Sequence, residues 1–193
     1  MLRGIFIGIV LTLAVLALGG YLAVTNGWVP ANADARPGSL ERWAASTSLD
    51  ATVDREAGRL SSPIQATEPN LVAGAKAYGA NCAVCHGLAS GPGTNISRGF
   101  YQRAPSFTRP RSGVTRDPVE VTYWKITHGI RLTGMPSFAG TLDDTARWQI
   151  ALFLKNKNQL PAAADKIWKA MRVTEALAPP VPDRSQGQPG PAK

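Results

Sequence analysis

Three of the chain's cysteine and histidine residues fall in one pentapeptide, Cys82-Ala83-Val84-Cys85-His86. Two thiols at this spacing can each add to one vinyl group along an edge of a haem, giving two thioether links. The imidazole that follows the second thiol is then carried beneath the iron, where its neutral nitrogen serves as proximal ligand. C-x-x-C-H is the attachment signature of c-type haem. Other chemistries fit less well. A thiol redox pair expects a βαβ setting, which the flanking helical pattern does not offer. Zinc held by Cys82, Cys85, His86 and His128 would need two adjacent ligands, Cys85 and His86, which strains a tetrahedral site. The chain has only two Cys, too few for a multi-disulfide scaffold.

A second axial ligand has to come from elsewhere, and Met135, His128, Met171 or an open site are the choices. Met135 stands in Thr133-Gly134-Met135-Pro136-Ser137-Phe138, between Gly and Pro and off any helix face. It follows His86 by enough chain to wrap a haem and return to its other side, and it is the favoured ligand. A thioether favours reduced iron and raises the potential relative to two imidazoles. With both axial positions filled, the remaining chemistry is outer-sphere transfer of single electrons. His128 shares a face with Val121 and Trp124 and suits a haem propionate or a backbone carbonyl. Met171 reads as packing on a helix. A vacant or labile sixth position would instead make a haem-based sensor or gas-binding module, the alternative from another class.

The elements that must position these residues are helical. Leu71 to Asn81 presents small residues, Ala73, Gly74 and Ala77, for close approach of another helix. Gly87 to Gly99 holds four glycines and one proline and reads as a loop. Its Asn95-Ile96-Ser97 sequon is a short match of little weight. Asp117-Pro118-Val119-Glu120 is a helix start with Asp as cap, and Gly129 is the stop after His128. Thr141 and Asp144 repeat the capping pattern before a helix bearing Trp148, Ile150, Phe153 and Leu154. Pro161 to Val173 is one further helix. Upstream, Gly38 to Leu60 reads as a helix capped by Ser39, with Leu40, Trp43, Leu49 and Val53 as an imperfect apolar stripe. Few alternating β-branched runs and no repeats occur, so the domain is expected to be all-α.

Gly4 to Val24 is apolar and free of charge. At ~1.5 Å per residue, about 21 residues of helix span the ~30 Å core of a bilayer. Arg3 precedes this run and no charge follows until Asp34, which puts the later residues outside the cytoplasm. Tyr21 and Trp28 suit the far interface. A cleaved signal peptide is the rival, although signal cores are usually shorter. Both readings export the domain, and bacterial c-type haem is attached outside the cytoplasm. The formal charge is +8. Arg98, Arg103, Arg109, Arg111 and Arg116 have no acid among them; they and Arg131 can pair with propionates or form a docking face for an acidic partner. No nucleic-acid motif accompanies the charge.

From Leu71 to Leu154 the chain resembles the class I mono-haem c-type cytochromes, especially membrane-anchored bacterial ones. The resemblance rests on Gly74 and Tyr78 before Cys82, then Cys85-His86, Pro105, Trp124, His128-Gly129-Ile130-Arg131, Gly134-Met135-Pro136, Trp148 and Phe153. It implies a class I cytochrome c fold around one covalent haem c, with Cys82 and Cys85 as attachment points and His86 and Met135 on the iron. It implies that Gly74 and Tyr78 cross Ile150 and Phe153, and that the Pro105 carbonyl accepts the proximal imidazole N–H. Pro105, Trp124, His128 and Arg131 are then candidates for the haem pocket.

The expected layout is a transmembrane anchor at 1–25, a linker with an amphipathic helix at 26–69, the haem domain at 70–160, a helix at 161–177 and a disordered tail at 178–193. The expected role is electron transfer rather than catalysis, with the haem domain on the periplasmic side of a bacterial inner membrane. The expected partners are the membrane and redox proteins such as a terminal oxidase, a dehydrogenase or another respiratory complex, with no nucleic acid.

Overall fold

A computed structural model describes residues 2–91, 94–107 and 113–172. Arg109 and Arg111, and the tail expected at 178–193, lie outside the described residues. The chain forms two compact units, Met1–Arg36 and Pro37–Lys193. The first is built on α1 (Leu2–Thr25), which has no acidic residue in its first turn and buries none of its side chains. It is long and apolar enough to cross a membrane, as an anchor or a signal sequence would be.

The described part of the second unit is helical, without strands: α2 (Ser39–Ala57), α3 (Glu68–Asn81), α4 (Ala83–His86), α5 (Asn95–Arg98), α6 (Gly113–Arg116), α7 (Val119–His128), α8 (Asp144–Asn156) and α9 (Ala162–Ala170). A lone bridge links Leu88 and Gly91. The centre is the crossing of α3 and α8. Gly74 is in van der Waals proximity to the other helix's backbone: a Cβ there would lie 2.1 Å from the Gln149 oxygen and 2.9 Å from the Phe153 Cβ. That contact brings Tyr78 and Phe153 together with ring centroids 5.5 Å apart. Tyr78, Phe153 and Ile150 are fully buried. Trp168 of α9 closes the aromatic cluster edge-on to Tyr78 at 5.6 Å, and Met171 covers Gly79.

Helix starts differ from the sequence expectation by one to three residues. The cap of α2 is Gly38, not Ser39, because the Glu41 carboxylate reaches back to accept from the Gly38 N–H at 3.3 Å. The start of α3 is earlier, at Glu68, since Pro69 is tolerated in a first turn where its missing N–H has no partner to lose. Asp117 does not cap α7. Its N–H closes α6 on the Gly113 carbonyl at 2.9 Å, and Pro118 precedes the helix with no side-chain cap. The cap of α8 is Asp143, two residues after Thr141, accepting from the Ala146 N–H at 2.7 Å. Within the expected loop 87–99, Asn95–Arg98 winds one helical turn. The last helix stops at Ala170, where Met171 turns extended at ψ 140°.

Candidate functional site

The pentapeptide sits where α3 ends. Cys82 closes α3, its N–H bonding the Tyr78 carbonyl at 2.8 Å, and the chain re-enters helix at once as α4. The Tyr78 hydroxyl then donates to the Gly87 carbonyl at 2.7 Å. One buried residue therefore ties the central helix crossing to the far end of the Cys-Cys-His turn. Gly87 leaves the turn at φ +89°, a backbone that glycine adopts without strain. Thr94 grips the same turn from outside, its N–H and hydroxyl both donating to the Val84 carbonyl, at 3.2 and 2.8 Å.

Both thiols are free. Burial pushes the Cys82 thiol up to about 12, with Cys85 adding to the effect, and burial raises the Cys85 thiol as well. Neither is disposed to ionise, as a thiol-exchange pair would require. His86 is buried, with its Nδ1 2.9 Å from the Pro105 carbonyl. Its ring lies flat on that of Phe107, with centroids 4.4 Å apart and planes 2° from parallel. Burial lowers the imidazole's pKa and the Pro105 carbonyl works against that shift. The ring is thus neutral, with Nδ1–H donating to the carbonyl and Nε2 left as the available lone pair.

Met135 lies in a loop folded tightly back on the end of α7. Gly129 has φ +67°, and a Cβ there would meet the Met135 oxygen at 2.8 Å and the Pro136 carbonyl carbon at 2.6 Å. The Ile130 N–H donates to the Met135 carbonyl at 3.1 Å, and the Met135 N–H to the Thr133 hydroxyl at 3.1 Å. The Ser137 hydroxyl ties the loop to the Thr127 carbonyl at 2.6 Å. Gly134 rests on the Phe100 ring, 2.9 Å from where a Cβ would be. The half-buried Met135 side chain packs against the core cluster that contains Cys82 and Ala83.

The other candidates spread around this frame. Trp124 is buried against Val53 and Ala57 of α2. Its indole N–H donates to the Glu56 carboxylate at 2.9 Å, and its ring lies 4.8 Å from that of His128, which is exposed. Arg131, Arg103 and Arg116 have exposed or half-exposed side chains. Arg98 differs, in that its Nε is buried without an acceptor. Among the described residues no three His, Cys, Asp or Glu side chains gather as a metal-ion ligand set.

A haem fits the residues present. Two unpaired thiols, an imidazole fixed through Nδ1 and a buried guanidinium nitrogen lacking an anion are the complement of a porphyrin with two vinyls, an iron and carboxylate side chains. Sequence reasoning missed the Thr94 clasp, the Phe107 stack, the Phe100–Gly134 contact and the Glu56–Trp124 bond. Only the glycine at 134 gave any signal, as a residue that admits close approach. Residues 69–154 match the family model for cytochrome C oxidase, cbb3-type, subunit III. The matched segment is less than half the chain and shows a mono-haem c-type cytochrome domain, whose cofactor is a covalently bound haem c. No curated protein and no solved structure matches the chain.

Proposed function

We propose, from the premise that residues 69–154 form a mono-haem c-type cytochrome domain, that this chain is a membrane-anchored carrier of single electrons whose iron is held by His86 and Met135. When bound, the haem supplies a reversible one-electron couple. The residues around it determine how that couple is used. Cys82 and Cys85 would hold the porphyrin edge by thioethers, and α4 sets their separation. The Pro105 carbonyl fixes the His86 tautomer and raises its basicity as a ligand. Met135 would close the opposite position, leaving no site for oxygen or substrate. Arg98 would neutralise a propionate.

The observation that carries the reading is the His86 imidazole, buried, neutral and oriented by Pro105 directly after two free thiols. Support for Met135 comes from its clasped Gly/Pro loop and its packing against the cluster that includes Cys82. Arg3 ahead of α1 and the absence of charge until Asp34 support an anchor with the second unit on the periplasmic side of a bacterial inner membrane. There the chain would serve as a shuttle or a fixed subunit between a dehydrogenase and a terminal oxidase.

The test is expression of the full chain in a host competent in haem attachment. Haem should stay with the polypeptide through denaturing electrophoresis, the protein should sediment with membranes, and the haem should titrate as one one-electron wave. Haem lost to acidified acetone, or a titration that needs two electrons, would overturn the reading.

A further inference from the structure

The helix α2 lies ahead of the family-matched segment and is fastened to the haem domain at both ends. The Tyr101 hydroxyl bonds the Glu41 carboxylate near its start, and the Trp124 indole N–H bonds Glu56 near its end. Between these, Leu49, Val53 and Ala57 pack on α7 through Val121 and Trp124. That accounts for only one side of the helix. Leu40 and Trp43, neighbours one turn apart, are 73% and 63% exposed on a helix whose other exposed residues are polar or alanine.

We propose that Leu40 and Trp43 rest in the outer interface of a lipid bilayer, the same bilayer that α1 spans. The proposal rests on the anchor reading of α1. Residues 26–38 join the end of α1 to the start of α2 and reach at most about 45 Å fully extended at ~3.5 Å per residue. Lipid is therefore present at high effective concentration whatever else is bound. The linker carries its own exposed interfacial side chains, Trp28 and Val29. The charge around the pair is compatible with headgroups. The exposed Glu41 is tied to the Tyr101 hydroxyl and the Gly38 N–H, while Arg36 and Arg42 flank the pair in sequence. A tryptophan beside a leucine suits the interface, where an indole ring sits at headgroup level. Because α2 is pinned to the domain at Glu41 and Glu56, this contact would hold the haem domain in one orientation rather than leave it swinging on its tether.

The test uses the full-length holo-protein in phosphatidylethanolamine/phosphatidylglycerol vesicles. Haem occupies Cys82 and Cys85, so a nitroxide attaches only at an introduced thiol: Leu40→Cys, Trp43→Cys or, as the solvent reference, Ala163→Cys. Haem absorbance reports folding of each variant. Labels at 40 and 43 should collide with oxygen severalfold more, relative to a water-soluble nickel chelate, than the label at 163. Equal nickel access at all three positions would overturn the proposal. Flotation with the vesicles tests the anchor separately. A chain that floats with water-exposed labels loses only the α2 contact, and one that stays at the bottom of the gradient loses the anchor as well.

Discussion

Two helix contacts in the second unit are built in opposite ways. At the crossing of α3 and α8, Gly74 lets two backbones touch, and Tyr78, Ile150 and Phe153 are sealed from solvent. Where α2 meets α7, Val53 and Ala57 cover Trp124, and half-exposed Glu56 adds one hydrogen bond. The first contact also carries the site, since Tyr78 reaches from it to Gly87 at the end of the Cys-Cys-His turn. The second touches the site's outskirts, through Trp124 and His128. A crossing packed at backbone distance has no slack and transmits any change to what it positions. A side-chain strip with one polar clasp can loosen while the domain stays folded.

Breaking the first contact should have the largest effect. Gly74→Ala places a methyl against the Gln149 backbone at 2.1 Å, which rotamer changes cannot relieve. Overpacking of this kind should cost about 3 kcal/mol, read by denaturant unfolding, with a lower yield of haem-bearing protein. Tolerance of alanine without loss of stability would mean that the two helices are not held by this approach.

A milder change addresses the second contact. Val53→Ala removes two methyl groups from the α2–α7 strip and should cost about 1.5 kcal/mol. The haem spectrum should be unchanged, and limited proteolysis should cleave within 37–60 before the rest of the domain. A loss as large as that of Gly74→Ala would put α2 in the cooperative core.

The smallest effect is electrostatic. Arg55 chiefly, and then Trp124, hold the Glu56 carboxyl below its usual value of 4.5. A carboxyl lowered in the folded state contributes stability above its unfolded pKa and loses it as pH falls through the folded value. The advantage of the native chain over Glu56→Gln should therefore be present at neutral pH and fade below pH 4.5. It should be small, because the carboxylate is half exposed and solvent screens it. A gap that widened in acid would remove Glu56 from the clasp.

What could be read from sequence divides along the same line. The Cys82–His86 spacing is legible because covalent chemistry fixes it locally. At the α3–α8 crossing the residues themselves show a small-residue face at Ala73, Gly74 and Ala77, while its partners Ile150 and Phe153 come from the family resemblance. Cap positions slip by one or two residues, as at Asp117, which ends α6 on the Gly113 carbonyl and leaves Pro118 to precede α7. The contacts of α2 with Trp124 and Tyr101 left no local trace. Each joins residues at least 60 apart through one carboxylate on a solvated helix, and many surface carboxylates look the same in sequence. The Phe107 stack on His86 is illegible for a similar reason, since it depends on where a loop returns.

The account stands or falls on a closed iron, and carbon monoxide reads this directly. Ferrous full-length protein should show no spectral change when the gas is added, because the proposed Met135 ligand would occupy the position it needs. Met135→Ala, carrying the same covalent haem, should bind it readily. Equal binding by the two proteins would contradict Met135 as a firm ligand and make the chain a gas-binding module instead of an electron carrier.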